Sequence, residues 1–179
     1  MKTQTHEQVV SIMNWFVKPG KYHGVDMKNP YWLDRETALM CTNGIDMLLV
    51  GETANREVKE YGEVDPAISR PALALIDYDK CHTVKIADLG DVGVLYKNLK
   101  IDEEQGICSK IIVTMNGNGL VIPAQRMLRV VNVLKKLRVK EIEAFCLTEY
   151  WRYNIESVPV TFVNRKENVR IVTMTRKAY

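Results

Sequence analysis

The sequence predicts a single α+β domain in which helices pack on antiparallel sheet, and three observations carry that expectation. Apolar residues recur at helical spacing in two places, short apolar runs joined by Asn-Gly turns follow them, and the order is helix, strands, helix, strands. The chain has 179 residues, a length that one domain can use to bury a core without disulfides or a structural metal. Apolar residues make up 46% and charged residues 26%, a globular mixture rather than the highly charged composition of a disordered chain.

From Thr5 to Val17, Val9, Ile12, Met13 and Phe16 form one apolar stripe; Thr5 is placed to cap the helix, and Pro19-Gly20 ends it. Tyr31 to Cys41 and Ile45 to Val50 read as strands joined through Thr42-Asn43-Gly44, because Asn and Gly tolerate the positive φ of a tight turn. The middle segment, 51–107, reads as an expansion: a charged loop with Asp65-Pro66 and Arg70-Pro71, then strands near Ala72 to Ile76, His82 to Ala87 and Val92 to Tyr96. Cys108 to Met115 and Leu120 to Ile122 flank the turn Asn116-Gly117-Asn118-Gly119, which lacks the Gly-Lys-Ser/Thr ending of a phosphate loop.

Pro123 opens the strongest helix, where its missing N–H is harmless. Met127, Val130, Val131, Leu134 and Leu137 form its apolar arc, with Arg126, Arg129 and Lys136 placed on the opposite side. Strands are expected at Glu141 to Leu147, Trp151 to Ile155, Val158 to Val163 and Val169 to Thr175, with Asn164 to Asn168 as a polar turn.

The first residues, Met1 to Glu7, show no basic region leading into an apolar one, and no run approaches the roughly 18 apolar residues that span a bilayer. Cys41, Cys81, Cys108 and Cys146 lack the paired spacing of a zinc site and read as reduced, mostly buried thiols of a cytoplasmic protein that needs no cofactor. The net charge of +3 conceals an asymmetry: residues 1–119 hold 13 Lys/Arg against 17 Asp/Glu, residues 120–179 hold 12 against 5. A basic C-terminal third can attract a polyanion, and it can equally be a solvated surface.

The run Leu120-Val-Ile-Pro-Ala-Gln-Arg-Met-Leu128, continuing to Leu137 and then Glu141-Ile-Glu-Ala-Phe145, resembles a strand, helix and strand of the DNA sliding clamps, the rings that tether polymerases to duplex DNA. Ala38 to Val50, with Thr42-Asn43-Gly44-Ile45-Asp46, is similar to the strand pair after the first helix of that family. About half the chain is covered. The resemblance implies a clamp-like fold, assembly from identical copies, a polymerase or other replication protein as partner, and Arg126, Arg129 and Lys136 as sequence-independent contacts to duplex DNA phosphates. Two departures stand against it: the first helix carries almost no positive charge, and one domain alone does not close a ring.

Other constellations have plain structural readings beside the chemical ones. Tyr150 to Tyr153 interleaves aromatics with Arg152, as a base-stacking platform would, but strand alternation puts Trp151, Tyr153 and Ile155 on one core face. Cys81-His82 are strand neighbours that point apart, His6 and His23 stand alone, and Asp77, Asp79 and Asp102-Glu103-Glu104 read as loop carboxylates rather than metal ligands. With no recognisable catalytic motif, the sequence is read as a non-enzymatic, clamp-like binding protein, or alternatively as a small interaction or regulatory protein of a mobile element with no DNA role.

Overall fold

The computed structural model describes residues 4–17, 21–22, 25–26, 31–32, 38–42, 46–51, 83–113, 119–147, 157–166 and 168–177. Along the chain these form α1 (His6–Val17), the short strands β1 (Lys21–Tyr22), β2 (Val25–Asp26) and β3 (Tyr31–Trp32), then β4 (Ala38–Thr42), β5 (Met47–Gly51) and β6 (Thr83–Asp91). There follow α2 (Val92–Glu104), β7 (Ser109–Val113), β8 (Gly119–Pro123), α3 (Ala124–Lys136), β9 (Glu141–Leu147), β10 (Ser157–Asn164) and β11 (Val169–Lys177). The architecture is α+β. The expected strands at Ala72 to Ile76 and Trp151 to Ile155, and the turn residues 43–45 and 114–118, lie outside the described residues.

Strands β1 and β2 pair with each other; the other nine make one antiparallel sheet whose main path is β3-β4-β5-β11-β10-β9-β6. Long β11 organises it. One edge pairs with β10 from Ser157↔Arg176 to Asn164↔Val169. The other edge is divided: β5 takes Val169 to Val172, β8 takes Arg176 and Lys177, and β7 extends the sheet beyond β8. Pro159, which has no N–H to give, lies one residue before the first β9 partner of β10, Val160↔Cys146.

The register sorts side chains onto two faces. Leu48, Val50, Ala144, Cys146, Val158, Val160, Phe162 and Ile171 share the face that joins one core with Val9, Met13 and Phe16 of α1, Val92 and Leu99 of α2, and Met127, Val130, Val131, Val133 and Leu134 of α3. The other face is buried as well, at Met47, Leu49, Phe145, Thr161, Val163 and Val172. This is why β5 reads as an unbroken apolar run, and Val158 to Val163 of β10 as one interrupted only by Thr161, rather than as alternation. Strand β6 carries register shifts at Ile86 and Leu89, and Gly90, held at φ 68°, supplies the left-handed residue of the second.

Helix α1 starts with a capping box: Gln8 N–H donates to Thr5 Oγ1 at 3.3 Å and Thr5 N–H to Gln8 Oε1 at 3.1 Å. Helix α2 corrects an expectation, for Val92 to Tyr96 begins a helix and not a strand. β-Branched Val92 and Val94 favour the strand reading locally. The helical one prevails because Val92, Leu95, Tyr96 and Leu99 fall at i, i+3, i+4 and i+7, and Asp91 Oδ1 accepts from Val94 N–H at 2.8 Å. Pro123 stands one position earlier than expected, as the cap residue of α3, and Ala124 N–H finds the Cys108 carbonyl at 2.9 Å. Helices α2 and α3 end in the same turn, with Ile107 N–H on Asp102 O and Val139 N–H on Leu134 O.

No described helix is long and apolar enough to cross a membrane. Because Asp91 supplies the side-chain cap of α2, Asp91→Ala should cost about 1 kcal/mol while Asp91→Asn stays near wild type. Urea unfolding of the two variants checks this.

Candidate nucleic-acid interface

Helix α3 crosses the sheet from β8, beside β11, to β9, beyond β10, and packs against both other helices. Its sequence, AQRMLRVVNVLKK, holds four cations and no carboxylate. With Met127, Val130, Val131, Val133 and Leu134 turned into the core, the outer stripe runs through exposed Gln125, half-buried Arg129 and Asn132, and exposed Lys136, flanked by exposed Lys135.

Arg129 and Lys136, seven residues apart, share that stripe, as the sequence predicts. Arg126 does not. It stands seven residues before buried Val133, so it lies at the margin of the core arc and only 27% of its side chain is exposed. Its guanidinium reaches the place where β11 has neither β5 nor β8 beside it. There Nη1 donates to the Met174 carbonyl at 2.9 Å, and Nε lies 3.8 Å from Oδ1 of Asp46. Asp46, 2% exposed, also accepts from Thr173 Oγ1 at 2.5 Å. The arginine expected to meet phosphate thus closes the join in the sheet.

The stripe is bordered by two aromatic rings that sequence reasoning did not single out. Lys136 Nζ lies 5.0 Å from the ring centroid of Trp15 on α1, and Lys135 Nζ lies 4.0 Å from that of Tyr96 on α2. Gln4 Nε2 donates to the Lys136 carbonyl at 2.7 Å, tying the start of α1 to the end of α3. Trp15 is 43% exposed, the one aromatic among the exposed large hydrophobic side chains of the described residues. Trp15 lies two positions from Met13 and one from Phe16, outside the apolar stripe of α1, and that misplacement was the available signal.

The remaining candidates divide by placement. Asp102, Glu103 and Glu104, expected in a loop, instead form the last turn of α2; Asp102 pairs with Lys110 and Glu103 with Lys100, each at 2.7 Å. Among the described residues no three His, Cys, Asp or Glu side chains converge as metal ligands would. Cys81-His82, His23, Asp77, Asp79 and Tyr150 to Tyr153 lie outside the described residues; His6 begins α1. Cys41 and Cys146 are buried, whereas Cys108 is exposed, with Sγ 3.5 Å from the Gly106 carbonyl. Burial pushes the Cys41 thiol far above the ordinary range despite an opposing backbone hydrogen bond from Leu48, the reverse of what activates a nucleophile.

Two expectations follow. Arg126→Ala removes one partner each from a carbonyl and a buried carboxylate and should cost about 1–3 kcal/mol, more than Arg129→Ala, since Arg129 has no such partner among the described residues; chemical denaturation of both variants compares them. Cys41 stays protonated in the folded state while the unfolded thiol ionises from about pH 8.5, so its contribution to stability is complete below that pH and falls above it by about 1.4 kcal/mol per unit. Urea unfolding between neutral and alkaline pH should show wild type losing that increment relative to Cys41→Ala.

Comparison with protein-family models, with curated proteins and with solved structures finds no match to this chain.

Proposed function

We propose that this chain is a non-enzymatic, clamp-like binding protein that holds DNA by its phosphates through the outer stripe of α3. The observation that supports it best is the sign of that helix. Four cations and no acid stand on α3, and Arg129, Lys135 and Lys136 border solvent between two other helices. Helices gathered on one face of an antiparallel sheet give such a protein a broad helical surface to lay against a duplex. Flexible lysines and an arginine without base-edge geometry suit phosphates, which carry charge and no sequence. In this reading several copies assemble around or along DNA, and a polymerase or other replication protein is the partner served.

The phosphate contacts belong to Arg129, Lys135 and Lys136, with Arg126 retained for the sheet. Each neutralised phosphate releases counterions, so affinity should fall steeply with salt and vary little among unrelated duplexes. Changing Arg129, Lys135 and Lys136 together to Ala should weaken binding and flatten the salt slope by about two to three units. The two lost lysine–aromatic contacts should lower stability by only about 0.5–1 kcal/mol each. Fluorescence anisotropy over a salt series, with a thermal melt of each protein, measures both.

A second reading, a protein-interaction or regulatory protein without a DNA role, draws on Val94 and Ile101. They are 57% and 50% exposed and lie seven residues apart on the side of α2 away from Val92 and Leu99. Absence of wild-type affinity for duplex DNA at low salt would favour that reading.

A further inference from the structure

We propose that Trp15, beside the cationic stripe of α3, is a stacking site for an unpaired base on a DNA strand whose phosphates the same surface holds. This rests on the phosphate-binding reading and adds a base contact to it. A large aromatic side chain is ordinarily turned into the core, and α1 had room to do so: Val9, Met13 and Phe16 are all buried on its inner stripe. Trp15 lies off that stripe with 43% of its surface exposed. Lys136 Nζ lies over its ring, 5.0 Å from the centroid.

Position and charge then point to one occupant. The ring is next to Lys136, Arg129 stands seven residues earlier on the same stripe of α3, and no acidic residue occurs on that helix. A strand whose phosphates follow the cations carries its bases within reach of the indole. A base offers a flat π-face of any sequence, and a neighbouring cation strengthens the stack by polarising the ring. In an intact duplex the bases are stacked on one another and unavailable to the indole, so only an unpaired segment gains this contact. An acidic peptide would use the cations but has no planar group to match the tryptophan. That makes the indole the discriminating feature.

The test compares a thymidine oligonucleotide with an abasic strand of the same length and charge, by anisotropy at fixed salt. Wild type should bind the thymidine strand about tenfold more tightly. Trp15→Ala should remove most of that ratio while leaving affinity for the abasic strand near wild type, and Trp15→Phe should restore part of it. Circular dichroism and melting of both variants establish that they are folded, as the half-exposed position of Trp15 leads one to expect. Equal binding of the two strands by wild type, or an unchanged ratio in Trp15→Ala, overturns the stacking site and leaves phosphate binding standing. Failure to bind either strand overturns both.

Discussion

The second edge of β11 is the constraint on which the rest of the structure depends. A strand edge presents a row of backbone donors and acceptors, and leaving these unpaired in an interior is costly. β11 meets this demand with two different strands, β5 over Val169 to Val172 and β8 over Arg176 and Lys177. Between them, at Thr173 to Thr175, the sheet has a join. Two side chains close it: Thr173 Oγ1 donates to Asp46, and Arg126 donates to the Met174 carbonyl while its Nε approaches Asp46. Because Asp46 immediately precedes β5 and Arg126 follows β8 by three residues, this polar cluster ties together the ends of the two strands that share the edge.

Joining the sheet in this way also fixes the helices. Helix α3 begins directly after β8, so holding Arg126 at the join sets the rotation of the whole helix. Once Arg126 points toward the sheet, Met127, Val130 and Val133 follow into the core by the 3.6-residue repeat, and Arg129, Asn132 and Lys136 fall on the other side of the helix, the first two half-buried and Lys136 exposed. At the other end the helix stops on Arg138, held in the left-handed region at φ 61°, where glycine is usual. A non-glycine residue there costs about 1–2 kcal/mol. The turn returns Val139 to the core, and its N–H caps the Leu134 carbonyl. The orientation of the cationic stripe is thus a consequence of packing at both ends of α3.

How much of this was legible in the sequence depends on how local the deciding interaction is. The cap at Thr5, the β4–β5 and β7–β8 pairs, the α3 core arc, and β9 to β11 outside the segment 148–156 follow from neighbours in sequence, and they could be read, whereas Tyr31 to Cys41, expected as one strand, holds two, β3 and β4, which pair antiparallel. Helix α2 was misread because two β-branched residues outweighed a cap and an apolar repeat that were both present. The site was legible in part. Arg129 and Lys136 follow from the helical repeat, but Arg126 is decided by Asp46, 80 positions away, and by a strand edge that no pattern within α3 announces. The rings of Trp15 and Tyr96 likewise meet α3 only after three separate helices have packed.

These rings bear on whether the lysines of α3 are available to a ligand at all. An ammonium held over an aromatic face is attracted by the quadrupole of the ring and need not use its N–H donors there, of which it has three. Lys135 over Tyr96 and Lys136 over Trp15 can therefore keep their rings and still donate to phosphate oxygens on the solvent side. A free lysine on a helix surface loses much of its rotamer freedom when it binds, at about 0.5–1.5 kcal/mol for each immobilised side chain. Two lysines already placed by rings on neighbouring helices have surrendered part of that freedom during folding. The aromatic border would therefore favour the proposed phosphate binding through preorganisation, whereas ion pairs at the same positions would have consumed the charge. Helix α2 shows that alternative, with Lys100 paired to Glu103 and Asp102 to Lys110.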